Sequence, residues 1–319
     1  MPESTVTLQE VREPEMHLAR NASGIVGLRK TLRYGLYPFL LLTTLGFSIW
    51  VVTVGKDLRY AFGLIMSART LALFALEFTF PMKREWRMTW RSFGRDLLYA
   101  ATNGGVGAFI RWVIVFFAIS IADEGTGWLK SAPLLVSVLV LILTYEFMQY
   151  WIHRMMHEAR GAFGAFLWRI HVAHHLPDRV YLLMHPVAHP INFIFVLVVM
   201  QGALLLTGAS ANAIFVFNAL LSLHGLISHF NVDIAAGPLN YIFVGTELHR
   251  DHHSADPRES KNFGVLTPFW DLVFGTFHYD PKRSPMRLGV EHPEDYPDSL
   301  AIHKVVMLPF LKSSKRTPL

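Results

Sequence analysis

Residues 133–157 read PLLVSVLVLILTYEFMQYWIHRMMH, an apolar run that stops directly at two histidines four positions apart. From Pro133 to Trp151 the run suits a helix across a hydrocarbon layer of about 30 Å, which takes about 20 residues. His153 and His157 then share one face of that helix, so both rings can reach one centre. The fold turns on this join, in which a membrane span carries imidazoles at its end.

Working outward, Leu36 to Val54 and Tyr60 to Phe80 predict two further spans, the second interrupted by Arg69 and Glu77. A run of about Leu97 to Ile121 around Arg111 predicts a third in chain order, and Pro133 to Trp151 is the fourth. Ile191 to Thr207 and Ala209 to Leu223 meet at Gly208 and read as a hairpin of short or tilted helices. With 52% hydrophobic and 17% charged residues, the chain departs from ordinary soluble composition. The expected fold is all-α, an integral membrane helical bundle with a cytoplasmic, histidine-rich helical cap. Its regions are an N-terminal cytoplasmic part (1–33), transmembrane helices one to four (34–152), a histidine-rich catalytic region (153–280) with the hairpin at about 191–223, and a C-terminal cytoplasmic tail (281–319). Residues 1–20 are polar, hold four Glu and lack the apolar core of a cleavable signal.

Basic residues give the orientation. Arg20, Arg29, Lys30 and Arg33 precede the first run; Lys83, Arg84, Arg87, Arg91 and Arg95 follow the second; Arg154, Arg160, Arg169 and Arg179 follow the fourth. The other side has Lys56, Arg59 and Lys130. This bias predicts a cytoplasmic (inner) membrane protein with both termini and the dense histidine groups in the cytoplasm. The basic terminal stretch LKSSKRTPL reads as a surface tail beside anionic lipid. Arg69, Glu77 and Arg111, charges at membrane depth, are expected to pair or snorkel, or else to meet a substrate headgroup or the surroundings of a metal site.

The chain has 16 His and no Cys, so a disulfide or thiolate cluster is excluded. LWRIHVAHH places His171, His174 and His175 at i, i+3 and i+4, and HRDHHS repeats the spacing with His249, His252 and His253. If both segments are helical, each offers a patch of two or three imidazoles. Eight rings in three clusters exceed what one small ion usually binds. His224 and His229 are five apart, which turns about 140° on a helix, so His229 needs a bend or a helix end to join His224. His185 and His189 lie between clusters and read as additional ligands, hydrogen-bond partners of ligands, or loop residues. A lone His such as His17, His292 or His303 is more often a hydrogen-bonded core residue. Glu146, seven before His153, and Asp251 are candidates to hold a ligating imidazole by its second nitrogen or to add a ligand. Neutral imidazole suits iron, zinc, copper or nickel, and absent thiolates argue against an iron–sulfur centre.

HRMMH, HVAHH, HFNVD, HRDHHS and the closing NFGVLTPFWDLVFGTF together resemble the fatty acid hydroxylase and sterol desaturase superfamily of membrane enzymes. The resemblance covers most of residues 130 to 280. It implies ligand status for His153, His157, His171, His174, His175, His249, His252 and His253, and for His229. It also implies two iron ions (Fe2+/Fe3+) as cofactor, with zinc able to take their place in a purified sample; no separate acid or base residue is assigned. The implied partners are dioxygen, a lipid substrate within the membrane, and a separate electron donor, whether ferredoxin, cytochrome or reductase. Hydroxylation of an unactivated fatty acyl, sterol or other lipid carbon is the expected reaction, with desaturation the close alternative.

Other classes fit less well. Metal transport would spread its histidines through the apolar runs, and a zinc hydrolase usually keeps three protein ligands and a water. Nucleic acid is not an expected partner despite the net charge of +5, because the basic clusters flank membrane runs. TNGGVGAF lacks the Lys and Ser or Thr of a phosphate cradle, so no nucleotide cofactor is expected on this chain.

Overall fold

The computed structural model describes residues 12–118 and 127–311. The side chains of residues 12–25 and 114–118 lie outside the described set, as does nearly all of the basic terminal stretch. Among the described residues the regular structure is all helical, with isolated bridges at Pro81–Val232 and Ser254–Leu288.

Among the described residues, five helices are long and apolar enough to cross a membrane. They belong to α1 (Arg12–Val54), α2 (Leu58–Thr79), α4 (Leu134–Glu158), α6 (Pro190–Thr207) and α7 (Ala211–Ser228). The hairpin pair α6 and α7 thus stands with the longer spans. The third run forms α3 (Trp90–Ala118), which is outside those five. The apolar end of that run, from residue 114 to Ile121, lies outside the described side chains.

Contacts at the two ends of the bundle nevertheless fix the path of α3. At one end, Met82 N–H donates to Asn231 O at 2.8 Å just after α2, and Arg95 in α3 donates to Tyr181 OH at 2.8 Å and to Ser299 Oγ at 3.1 Å. At the other end, Leu129 N–H donates to Thr207 O at 3.3 Å and Trp128 Nε1 to Leu206 O at 3.0 Å, just before α4 begins. The chain must therefore pass from one end to the other between residues 95 and 128. Of this stretch α3 is the described part, and it packs beside α6.

Local chemistry explains the boundaries. Gly55, at φ 68°, ends α1, and Asp57 caps α2 by accepting from Tyr60 N–H at 2.8 Å. Gly208, at φ 57°, turns the hairpin, and Ser210 caps α7 through Ala213 N–H at 3.3 Å. Gly208 and Gly127 approach so closely that neither has room for a Cβ. Pro190 opens α6, where its missing N–H costs no hydrogen bond.

The core of the bundle joins α1, α2, α4, α6 and α7 around Tyr37, Leu73, Leu141, Phe217 and Leu223. Arg69 lies inside this bundle, donating to Ser222 Oγ at 2.7 Å and Thr44 Oγ1 at 3.3 Å. Glu77 accepts from Leu182 N–H at 2.8 Å and Asn231 N–H at 2.9 Å, joining α2 to two connecting segments. Arg111 is exposed on α3. The remaining helices, α5 (Gly161–His175), α8 (Thr246–His252), α9 (Phe269–Phe274) and α10 (Ile302–Met307), are short and belong to the end of the bundle where α4 and α7 finish.

Candidate metal centre

At that end the histidines meet in two groups. The first contains His153 and His157 from α4, His171 and His175 from α5, and His252 from α8. The second contains His174 from α5, His229 just past the end of α7, His249 from α8 and His253 at its C-cap. In each group one ring nitrogen of every member lies within 4.8 Å of the others. The groups adjoin, with His175 and His253 stacked at 4.5 Å between ring centroids.

Each HxxHH triplet is shared between the groups. On a helix, i+3 falls about 60° to one side of i and i+4 about 40° to the other, so i+3 and i+4 diverge. His171 and His175 face the first group while His174 faces the second; His249 and His253 face the second while His252 faces the first. The two triplets thus contribute in opposite senses.

Hydrogen bonds at the outer nitrogens settle which atoms face inward. His153 Nδ1 donates to Phe263 O at 2.8 Å, His171 Nδ1 to Asn192 Oδ1 at 2.9 Å, His174 Nδ1 to Val187 O at 2.8 Å and His252 Nδ1 to Lys261 O at 2.8 Å. Ser228 Oγ spends its proton on Gly225 O at 2.8 Å and accepts from His229 Nδ1 at 2.8 Å. In these five rings Nε2 is therefore unprotonated. Burial, and then the neighbouring imidazoles, hold His171, His175, His229, His249, His252 and His253 well below the ordinary imidazole pKa; burial also lowers His174. Neutral rings are the form that ligates metal.

The inward atoms fit a cation. His153 Nε2 and His171 Nε2 stand 3.1 Å apart with both nitrogens bare, so two lone pairs face each other. In the second group, His229 Nε2 is 3.1 Å from both His253 Nε2 and His249 Nε2. Two nitrogens bound at about 2.1 Å and at right angles around one ion stand about 3 Å apart. His157 Nε2 and His252 Nε2 are buried and have no hydrogen-bond partner among the described residues. A positive ion in each group would turn these facing lone pairs from repulsion into ligation, and an all-imidazole donor set suits iron or zinc.

The remaining candidates lie elsewhere. His224 belongs to neither group: Nδ1 donates to Leu220 O at 2.9 Å and Nε2 accepts from Tyr37 OH at 3.0 Å. His189 caps α6 through Ile191 N–H at 3.1 Å and donates from Nε2 to Val306 O at 3.0 Å. Asp251 is buried outside both groups, and burial pushes its carboxyl up to about 7 against the pull of Arg250. His185 stands at the edge of the second group, its ring 5.9 Å from that of His229. Glu146 does not reach either group; it accepts from Val265 N–H at 3.1 Å and Leu266 N–H at 2.6 Å.

Glu146 thereby braces a loop whose role the spacing of histidines does not reveal. Asp271 holds the same loop from α9, accepting from Phe263 N–H and Gly264 N–H, both at 2.8 Å. Between the two carbonyls that receive His252 and His153 sits Asn262, the one non-glycine residue at positive φ (63°) among the described residues. Its side chain donates to His278 O at 2.7 Å and accepts from His278 N–H at 2.8 Å. Asn tolerates this left-handed conformation better than most residues, and that tolerance is the only local signal in the sequence.

The family profile described as fatty acid hydroxylase matches residues 138–276, a stretch that contains all nine grouped histidines. An ornithine lipid hydroxylase of Rhizobium tropici is 30% identical over 248 residues, covering 74% of this chain and 72% of that protein. An alkylglycerol monooxygenase of Caenorhabditis elegans is 29% identical over 155 residues, 46% of this chain and 28% of the relative. A very-long-chain aldehyde decarbonylase of Oryza sativa subsp. indica is 26% identical over 153 residues, 44% and 23% of the two chains. No solved structure gives a significant match.

Proposed function

The chain belongs to the fatty acid hydroxylase and sterol desaturase superfamily, and from that membership we propose that it is a membrane di-iron oxygenase that hydroxylates an unactivated carbon of a lipid. One observation carries the reading: two adjoining groups of five and four imidazoles, six of them buried and three half-buried, present bare nitrogens to one another at the end of a membrane bundle. His153, His157, His171, His175 and His252 would hold one iron, and His174, His229, His249 and His253 the other.

Bound there, iron supplies dioxygen activation with electrons from a separate ferredoxin, cytochrome or reductase. The protein's share is placement. Carbonyls of Lys261, Phe263 and Val187 and the Asn192 amide fix the tautomers and the ring planes. Tight burial keeps the rings neutral. The position at the end of α4 and α7 lets a lipid keep its polar end at the interface while its chain remains in the bilayer. The basic residues flanking α1, α2 and α4 favour the cytoplasm for this end and the inner membrane as the location.

Hydroxylation is preferred over desaturation because the relative that covers most of the chain is named for hydroxylating a lipid. That name makes a lipid with an amino-acid headgroup the first substrate to test. Lipid extracts from cells with and without the protein, grown under labelled dioxygen and read by mass spectrometry, decide the matter. We expect one labelled oxygen gained by a lipid. Loss of two hydrogens without label would replace the hydroxylase by a desaturase, and an unchanged lipidome from metal-loaded membranes would overturn both.

A further inference from the structure

Three histidines near the two groups differ sharply in what their nitrogens do. Both nitrogens of His189 and both of His224 are committed to backbone or hydroxyl partners. Neither ring nitrogen of His185 has a hydrogen-bond partner among the described residues. His185 follows the 3-10 turn Leu182–Met184, and its ring lies 5.9 Å from His229. Ring pairs inside the second group span 4.5 Å for His229–His249 to 6.1 Å for His174–His249, so the His185–His229 separation falls in that range, although His185 lies outside the set of four whose nitrogens are all within 4.8 Å of one another.

The room that His185 fills is left by a glycine. A Cβ built on Gly225 would meet His185 Cε1 at 3.0 Å and Nε2 at 3.1 Å. Gly225 lies four residues before His229, so a side chain there would share its face of α7. That is the position from which α7 could give the second group another imidazole. It gives none, and an imidazole from a different segment occupies the space. The second group, with four rings, is one donor short of its neighbour with five.

We propose, resting on the reading of both groups as metal sites, that His185 is the fifth donor of the second group and stands in for a ligand that α7 cannot provide at Gly225. His185 is exposed as a residue, unlike the nine grouped histidines, while its ring lies against the buried Gly225.

The test uses the full chain purified in detergent, with Co2+ as the probe, titrated and read by bound metal and visible absorption. The wild type is expected to take an ion in each group. His185→Ala should keep the first ion at wild-type affinity and bind the second at least about 10-fold more weakly. The double substitution His185→Ala with Gly225→His, which returns an imidazole to the same space from α7, should recover the second ion. Two ions bound by His185→Ala with unchanged affinity and spectrum would overturn the proposal, as would a loss that the double substitution leaves unrepaired. A wild type that binds no Co2+ at all would defeat the metal reading itself and is thereby distinguished from failure of this inference.

Discussion

His252 and His224 are both buried imidazoles on helices near one end of the bundle, yet their nitrogens give them different tasks. His252 donates from Nδ1 to Lys261 O and leaves Nε2 unpartnered among the rings of the first group. His224 spends both nitrogens on Leu220 O and Tyr37 OH. His252→Ala should therefore lose metal from the first group and abolish turnover, with membrane insertion intact. His224→Ala should keep both ions and cost about 1–3 kcal/mol in stability, because Tyr37 OH is left buried without its acceptor. Metal analysis and thermal unfolding of the two purified variants separate the outcomes. Equal metal content in His252→Ala and the wild type would remove His252 from the ligand set. Spacing alone hinted at the difference: His224 is five residues from His229, off the face that a helical pair would share.

At the scale of elements, the histidine triplets were legible because a helix converts i, i+3 and i+4 into neighbours. Their division between two groups follows from the same angles, but only once a second triplet faces the first, as α8 faces α5. The loop after α8 was not legible, because its contribution is made by backbone. Lys261 O and Phe263 O orient His252 and His153, and Asn262 between them must hold φ at 63° for both carbonyls to serve. Glu146 is in helical register with His153, yet it acts on this loop rather than on a ring. Asn262→Ala should add about 1–2 kcal/mol of backbone strain to the loss of its two bonds to His278. Asn262→Gly should carry only the lost bonds, at about 1–3 kcal/mol for each buried group left unpaired. The expected order of thermal stability and of metal retention in the first group is wild type, then Gly, then Ala. Should Gly and Ala prove equally damaging, the left-handed backbone would not be what the position requires.

For the whole molecule, the paths of six helices decide which histidines can meet. Arg33 donates to Asp233 at 3.0 Å beside the histidine end, so α1 runs away from that end and α2 returns to it. α3 leaves it, α4 returns carrying His153 and His157, and the α6–α7 hairpin leaves and returns to deliver His229. A hydropathy count that omits α3 would put His157 and His229 at the wrong ends relative to α2; the hydrogen bonds of Arg95 and Leu129 restore the parity. Arg69 is tolerated mid-bundle because Ser222 and Thr44 receive its donors inside the protein rather than in lipid. The sidedness we propose rests on the basic flanks and is open to direct test, since the chain has no Cys and any introduced thiol is unique. Lys56→Cys lies between α1 and α2 at the end away from the histidines, and Lys282→Cys follows α9 at the histidine end; both positions are exposed. In intact cells a membrane-impermeant maleimide should label Lys56→Cys, while Lys282→Cys should react only after permeabilisation. The reverse pattern would place the histidine groups outside the cytoplasm and would require a different source of electrons. Labelling of both sites in intact cells would mean that the two ends of α2 share one compartment, which the path of the bundle forbids.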